Sequence, residues 1–183
     1  MTPREQEEYR ALRATIRQRG TARVWIVLTG MAAWGALTLA TAALAELPVA
    51  TFLPLLILAV TFEITASLHQ GVERLGRYIQ VFFEDQNSGW EHQAMEYGRQ
   101  FPGSGSDPLF SAYFCIATVF NFVPVLTAGP VALEWAVVGT VHLLFIVRVF
   151  TVKRDAAHQR ARDLERFTRL KAGHEVTKAR NGP

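Results

Sequence analysis

The sequence predicts an all-α polytopic membrane protein: four transmembrane helices in two hairpins, with spans two and four extended as cytoplasmic helices. Three observations predict it. Half of the 183 residues are hydrophobic, and they gather in four runs, 24–45, 48–68, 109–128 and 130–150. Each run is about 20 residues long, enough at roughly 1.5 Å per residue to cross a hydrocarbon core of about 30 Å. All 19 Lys and Arg lie before the first run, between the second and third, or from Arg148 onward. Apolar residues also continue at i+3 and i+4 beyond the ends of the second and fourth runs. A soluble bundle of four buried helices is the competing architecture, but the runs keep too little polar surface for it.

Residues 1–23 read as a cytoplasmic amphipathic segment with a short stripe of Tyr9, Leu12 and Ile16. Ala43-Leu44-Ala45 resembles a signal-peptidase site. However, the leading segment carries Glu5, Glu7 and Glu8, and the apolar run exceeds a normal signal core, so an uncleaved first span is expected. The first hairpin covers 24–69, with a tight turn at Ala45-Glu46-Leu47-Pro48. Ala32, Ala36 and Ala40, with Gly35 beside them, form a small-residue ridge that allows close helix approach within the bundle or to another protein.

Residues 70–108 hold a helix extension and a loop. Val72, Leu75, Gly76, Ile79, Phe82 and Phe83 keep the helical stripe to about Asp85, with Gly71 and Gly76 weakening it slightly. Residues 86–108 are irregular, with a short helix over 90–97. Trp90, Tyr97, Phe101 and Phe110 suit an interfacial aromatic belt, and Ser106 or Asp107 starts the third span. The second hairpin covers 109–150. Gly129-Pro130 is its turn, since Gly suits the position after a helix and Pro the first position within one. Pro54 and Pro124 can each bend a span near its outer end. Cys115, the single cysteine, excludes a disulfide framework. Residues 151–172 form a second cytoplasmic helix with a stripe of Ala157, Ala161, Leu164, Phe167 and Leu170, ending near Gly173. Residues 173–183 read as a disordered tail.

Positive residues resist translocation, so both termini and the 70–108 segment are expected in the cytoplasm. There, Leu75, Ile79, Phe82, Leu164 and Phe167 should bury against other helices, either in a small bundle or as a face for a partner.

The polar groups inside the spans divide by depth. Counting helical rise from Pro48 and Pro130, Glu63 lies about 22 Å in, His142 about 18 Å and Arg148 about 27 Å. These three form an expected inner cluster; Asn121 and Glu134 form an outer pair. A charge at mid-membrane costs about 2.5–3.5 kcal/mol on insertion scales, so Glu63 should point into the bundle and meet Arg148 or His142. A structural ion pair is one use, a proton or ion path the other. His69 and Glu73, with Glu63 about a turn and a half back and Glu84, Asp85, Glu91 and His92 further on, offer metal donors, but the spacing is His-x-x-x-Glu and occurs once, whereas carboxylate-bridged bundles use Glu-x-x-His twice. Both His69 and His142 lie toward the cytoplasmic half, which disfavours a haem between them. No metal or cofactor is therefore expected.

Nucleophile elbows and phosphate loops are missing, and the basic tail is mixed with acid, so neither an enzyme nor a nucleic-acid binder is indicated. The expectation is a non-enzymatic integral membrane subunit, structural or accessory. It would dock other membrane-protein subunits, or itself, through the cytoplasmic helices and the alanine ridge. No small-molecule substrate is identified. The alternative is a small oligomeric ion channel or proton-coupled transporter using Glu63, His142 and Arg148.

Overall fold

The computed structural model describes residues 1–44, 47–84, 88–101 and 107–180. Among them every regular element is helical: α1 (Pro3–Leu44), a short 3-10 turn (Pro48–Thr51), α2 (Phe52–Phe82), α3 (Trp90–Gln100), α4 (Ser111–Thr127) and α5 (Ala132–Arg180). Three helical segments, in α1, in α2 with its leading turn, and in α5, are long and apolar enough to cross a membrane, while α4 is apolar but has 17 residues. The turn at Ala45-Glu46, the expected helix end at Asp85, the 102–106 loop, residues 181–183 and the Ala157 side chain lie outside the described residues.

Several boundaries differ from expectation for local reasons. The amphipathic segment 1–23 and the first run form one uninterrupted helix, as no Pro separates them. α5 continues past Gly173 to Arg180 rather than ending there; a mid-helix Gly costs only about 1 kcal/mol relative to Ala. α4 starts two residues late because Phe110 takes a left-handed conformation, φ 53°. The Asp107 carboxylate supports that entry by accepting from the backbone amides of Leu109 (3.2 Å) and Ser111 (2.9 Å). Gly129, φ 63°, occupies the left-handed position after α4 that its sequence setting predicts.

The chain divides into two compact units. The apolar unit comprises Thr21–Leu68 and Asp107–Arg154. Its centre is Phe62, fully buried and edge-on to Phe114 (centroids 5.1 Å apart) and Phe145 (6.0 Å). In the part of α5 that belongs to this unit the buried positions are Val138, His142, Phe145, Val149 and Val152, alternating four and three residues apart so that one stripe faces inward. α4 does the same with Phe114, Thr118, Asn121 and Val125. The opposite faces are apolar too: Leu39, Phe120, Leu133 and Leu144 are all exposed. A unit apolar inside and out needs an apolar surrounding.

The charged unit comprises Met1–Gly20, His69–Ser106 and Asp155–Pro183. Ile79 is fully buried there, and Tyr78, Phe82 and Phe167 form an aromatic cluster with centroid separations of 4.7 to 6.4 Å. The last turn of α2 is closed by Lys171, whose Nζ donates to the Val81 carbonyl at 2.6 Å.

Candidate functional site

In the apolar unit the polar groups of the spans meet, but not in the combinations their depths suggest. Asn121 is fully buried on α4. Its Oδ1 accepts from Trp34 Nε1 (3.2 Å) and Thr38 Oγ1 (3.3 Å) on α1. Its Nδ2 donates to the Thr51 carbonyl (2.9 Å) and to His142 Nε2 on α5 (2.9 Å). His142 Nδ1 lies 2.8 Å from the Val138 carbonyl. A carbonyl can only accept, so Nδ1 carries the proton and Nε2 is left as the acceptor Asn121 needs. One amide thus joins three helices and the 3-10 turn, and it fixes the tautomer of the imidazole. Phe122 packs edge-on against the same ring at 5.1 Å. Beside it an apolar groove of about 320 Å³ opens between α4 and α5, with His142 as a polar member of its lining and Gly139 leaving its wall open.

This arrangement corrects two expected groupings. His142 does not join Glu63 and Arg148; it belongs with Asn121. Six residues on a helix turn the side chain by about 240°, so His142 and Arg148 leave α5 in different directions. Glu134 is not a partner of Asn121: its Oε2 accepts the Val131 backbone amide at 3.0 Å, capping the start of α5.

Glu63 and Arg148 do pair, and closely. Arg148 donates through Nε to Oε1 (2.7 Å) and through a terminal nitrogen to Oε2 (3.0 Å), a two-pronged bond that fixes both planes. The expected inward orientation is not found, since the two side chains remain 47% and 52% exposed. The buried side of α2 here is filled by Phe62, Thr65 and Ala66, and Glu63 projects beside them onto the outer face.

The alanine ridge is likewise redirected. Ala32, Ala36 and Ala40 are all exposed, whereas Gly30, Trp34 and Thr38 face the core side. Close helix approach occurs at Gly30, where a Cβ would overlap the Thr61 side chain of α2. A ridge offset by two residues sits about 200° around the helix.

The chain matches no family model, no curated protein and no solved structure.

The charged unit holds a network that sequence spacing did not suggest. Glu91, nearly buried on α3, accepts from Arg13 (2.7 Å) and Arg77 (3.5 Å), and Arg77 also bonds Gln80 (3.0 Å). Burial pushes the Arg77 pKa down against the nearby carboxylates Glu73 and Glu91, yet a guanidinium stays charged at any physiological pH. Glu84 accepts the backbone amides of Glu91 (2.9 Å) and His92 (3.1 Å), capping α3 where Gly89 offers no side chain. Gly76 makes room for this network, since a Cβ there would meet Glu91 Oε2 at 2.8 Å. Of the metal candidates, Glu73 pairs with Arg160 at 2.8 Å, and Glu84 also lies 3.0 Å from His92 Nδ1. Among the described residues no three His, Cys, Asp or Glu side chains converge as a metal would require. Of the expected partner face, Ile79 is fully buried while Leu75, Phe82, Leu164 and Phe167 are half-buried. Phe82 and Phe167 face each other, so much of this surface is used between the chain's own helices.

Proposed function

We propose that this chain is a four-span integral membrane protein with both termini in the cytoplasm, acting as a non-enzymatic accessory subunit that docks another membrane protein. The four-span reading is supported by Asn121: mid-way along α4, it hydrogen-bonds α1, the turn before α2, and α5. The short helix therefore lies alongside the three longer ones. Leu109, Phe110 and Ala128 extend its apolar length toward a span. The Lys and Arg distribution supports the orientation.

The observation that carries the docking role is the alanine ridge, which faces away from the unit's own core. A ridge with no partner inside its own bundle offers a second transmembrane helix close backbone contact. The cytoplasmic helices contribute the remaining half-buried surface. The transporter reading is weaker, because the polar groups occupy different faces: Glu63 and Arg148 pair on the exposed side, whereas Asn121 and His142 bond each other in the buried core.

The test is purification of the full chain from its native membrane, alone and as Ala36→Ile. A co-purifying membrane protein that is lost in the variant, with thermal stability of the chain unchanged, supports the reading. Recovery of the same partner with the variant, or ion flux in proteoliposomes abolished by Glu63→Gln, overturns it.

A further inference from the structure

The two-pronged Glu63–Arg148 pair is an unusual thing to leave on an apolar surface. Its neighbours on that face are Val60, Ile64 and Leu144, all exposed. The pair sits about 7–8 Å along α5 from Lys153, and Lys153 meets Asp107 at the start of the third apolar segment, 3.3 Å away. On the four-span reading, on which this inference rests, Glu63 and Arg148 lie about 22 and 27 Å into a core of about 30 Å, so the pair sits in the inner part of the hydrocarbon. Charged side chains within a membrane are costly and as a rule face protein or water rather than lipid, so an exposed ion pair with an apolar surround marks a face that meets another protein surface.

We propose that this face joins two copies of the chain about a two-fold axis along the membrane normal, setting Arg148 of each copy against Glu63 of the other. Three features favour a second copy over lipid. The pair is neutral, so an anionic headgroup finds no net charge to neutralise. It presents both signs side by side, which makes it self-complementary under two-fold rotation. Its two members are hydrogen-bonded and so lie at one depth. A two-fold along the normal preserves depth, and it therefore brings opposite signs together rather than offsetting them. The four charged groups then form a closed ring, with Val60, Ile64 and Leu144 as its dry rim.

The test uses the full chain and its Glu63→Arg/Arg148→Glu double variant, differently tagged and co-expressed, then reconstituted in lipid nanodiscs. The double variant keeps the pair within each copy. Each form can also dimerise with itself, but a mixed dimer would oppose Arg to Arg and Glu to Glu. Random pairing gives roughly half mixed dimers, and sorting by charge should cut that to less than about one tenth. Dimers that mix at random, or a chain that stays monomeric at all lipid ratios, overturn the proposal. If the double variant does not fold, Ile64→Cys in a Cys115→Ala background serves instead. It should crosslink between copies on oxidation, while Val119→Cys on the outer face of α4 should not; equal crosslinking at both sites also overturns the proposal. Thiol-accessibility labelling of single cysteines placed at Lys153 and Leu133 in the Cys115→Ala background separates this outcome from failure of the four-span reading. Wrong sidedness defeats the spans, whereas correct sidedness without dimers defeats only the interface.

Discussion

Replacing Asn121 by Leu tests whether the buried amide holds the apolar unit together. The two side chains are similar in volume, so the change removes hydrogen bonds and leaves little cavity. Four bonds disappear at once: those from Trp34 and Thr38, and those to Thr51 and His142. Hydrogen bonds between membrane helices average about 0.6 kcal/mol each, so the loss should be about 2–2.5 kcal/mol. It should exceed a simple sum only if the freed His142 Nε2 stays buried without a donor. Reversible unfolding in mixed micelles, followed by tryptophan fluorescence, reads this directly. Trp34→Phe removes one of the four bonds and should cost about 0.6 kcal/mol, and the double variant should cost no more than Asn121→Leu alone. A Leu variant as stable as the parent would refute the reasoning, because it would mean that packing around Phe62 suffices.

Three other outcomes follow from the same structure. Gly30→Ala should destabilise by about 1–2 kcal/mol despite the better helix propensity of Ala, because overpacking costs about 1–3 kcal/mol; Thr61→Ala, which removes the two nearest clashing atoms, should restore much of it in the same unfolding assay. Glu91→Leu should cost more than Arg77→Leu, since the first takes a carboxylate from the buried Arg77 and leaves Arg13 only Glu84 at 3.7 Å, while the second leaves Glu91 paired with Arg13; breaking a buried pair costs about 3–5 kcal/mol, and equal losses would contradict the shared network. Burial opposes ionisation of Asp107 but is outweighed by hydrogen bonds from Ser111 and Leu109 and by Lys153, which together hold its pKa below the ordinary carboxylate value. A depressed carboxylate stabilises above its unfolded pKa of about 3.9 and loses that contribution as pH falls through the lower folded value. Asp107→Asn should therefore narrow the stability difference between pH 5 and pH 2, and an unchanged difference would exclude the cap.

Periodicity made the helices legible, and depth arithmetic made one pair legible. The expected depths of Glu63 and Arg148 differ by about 5 Å, a gap that two long side chains close. The same arithmetic failed for His142 because depth says nothing of direction around the helix. Adding the angle would have grouped His142 with Val138, Phe145 and Val149, and separated it from Arg148. The ridge of Ala32, Ala36 and Ala40 was visible because three small residues in register stand out. Gly30, where the backbones come closest, was not, since a single glycine carries no pattern. Least readable was α3: its aromatic residues Trp90, Tyr97 and Phe101 are exposed while Glu91 is inside, the reverse of a simple amphipathic reading. That inversion is set by Arg13 and Arg77, which arrive from distant parts of the chain and so leave no local trace.

The junction at Asn121 also gives the chain a schedule during synthesis. When α4 emerges from the ribosome, α1 and the turn at Thr51 already exist, so three of the four partners of the amide are waiting. The fourth, His142, is still 21 residues away. Until it is made, one amide proton of Asn121 lacks its acceptor, and on the four-span reading the bonds to Trp34, Thr38 and Thr51 would hold α4 beside its predecessors rather than in lipid. Arrival of α5 would then act as a latch, closing the bundle in the order in which its parts were translated.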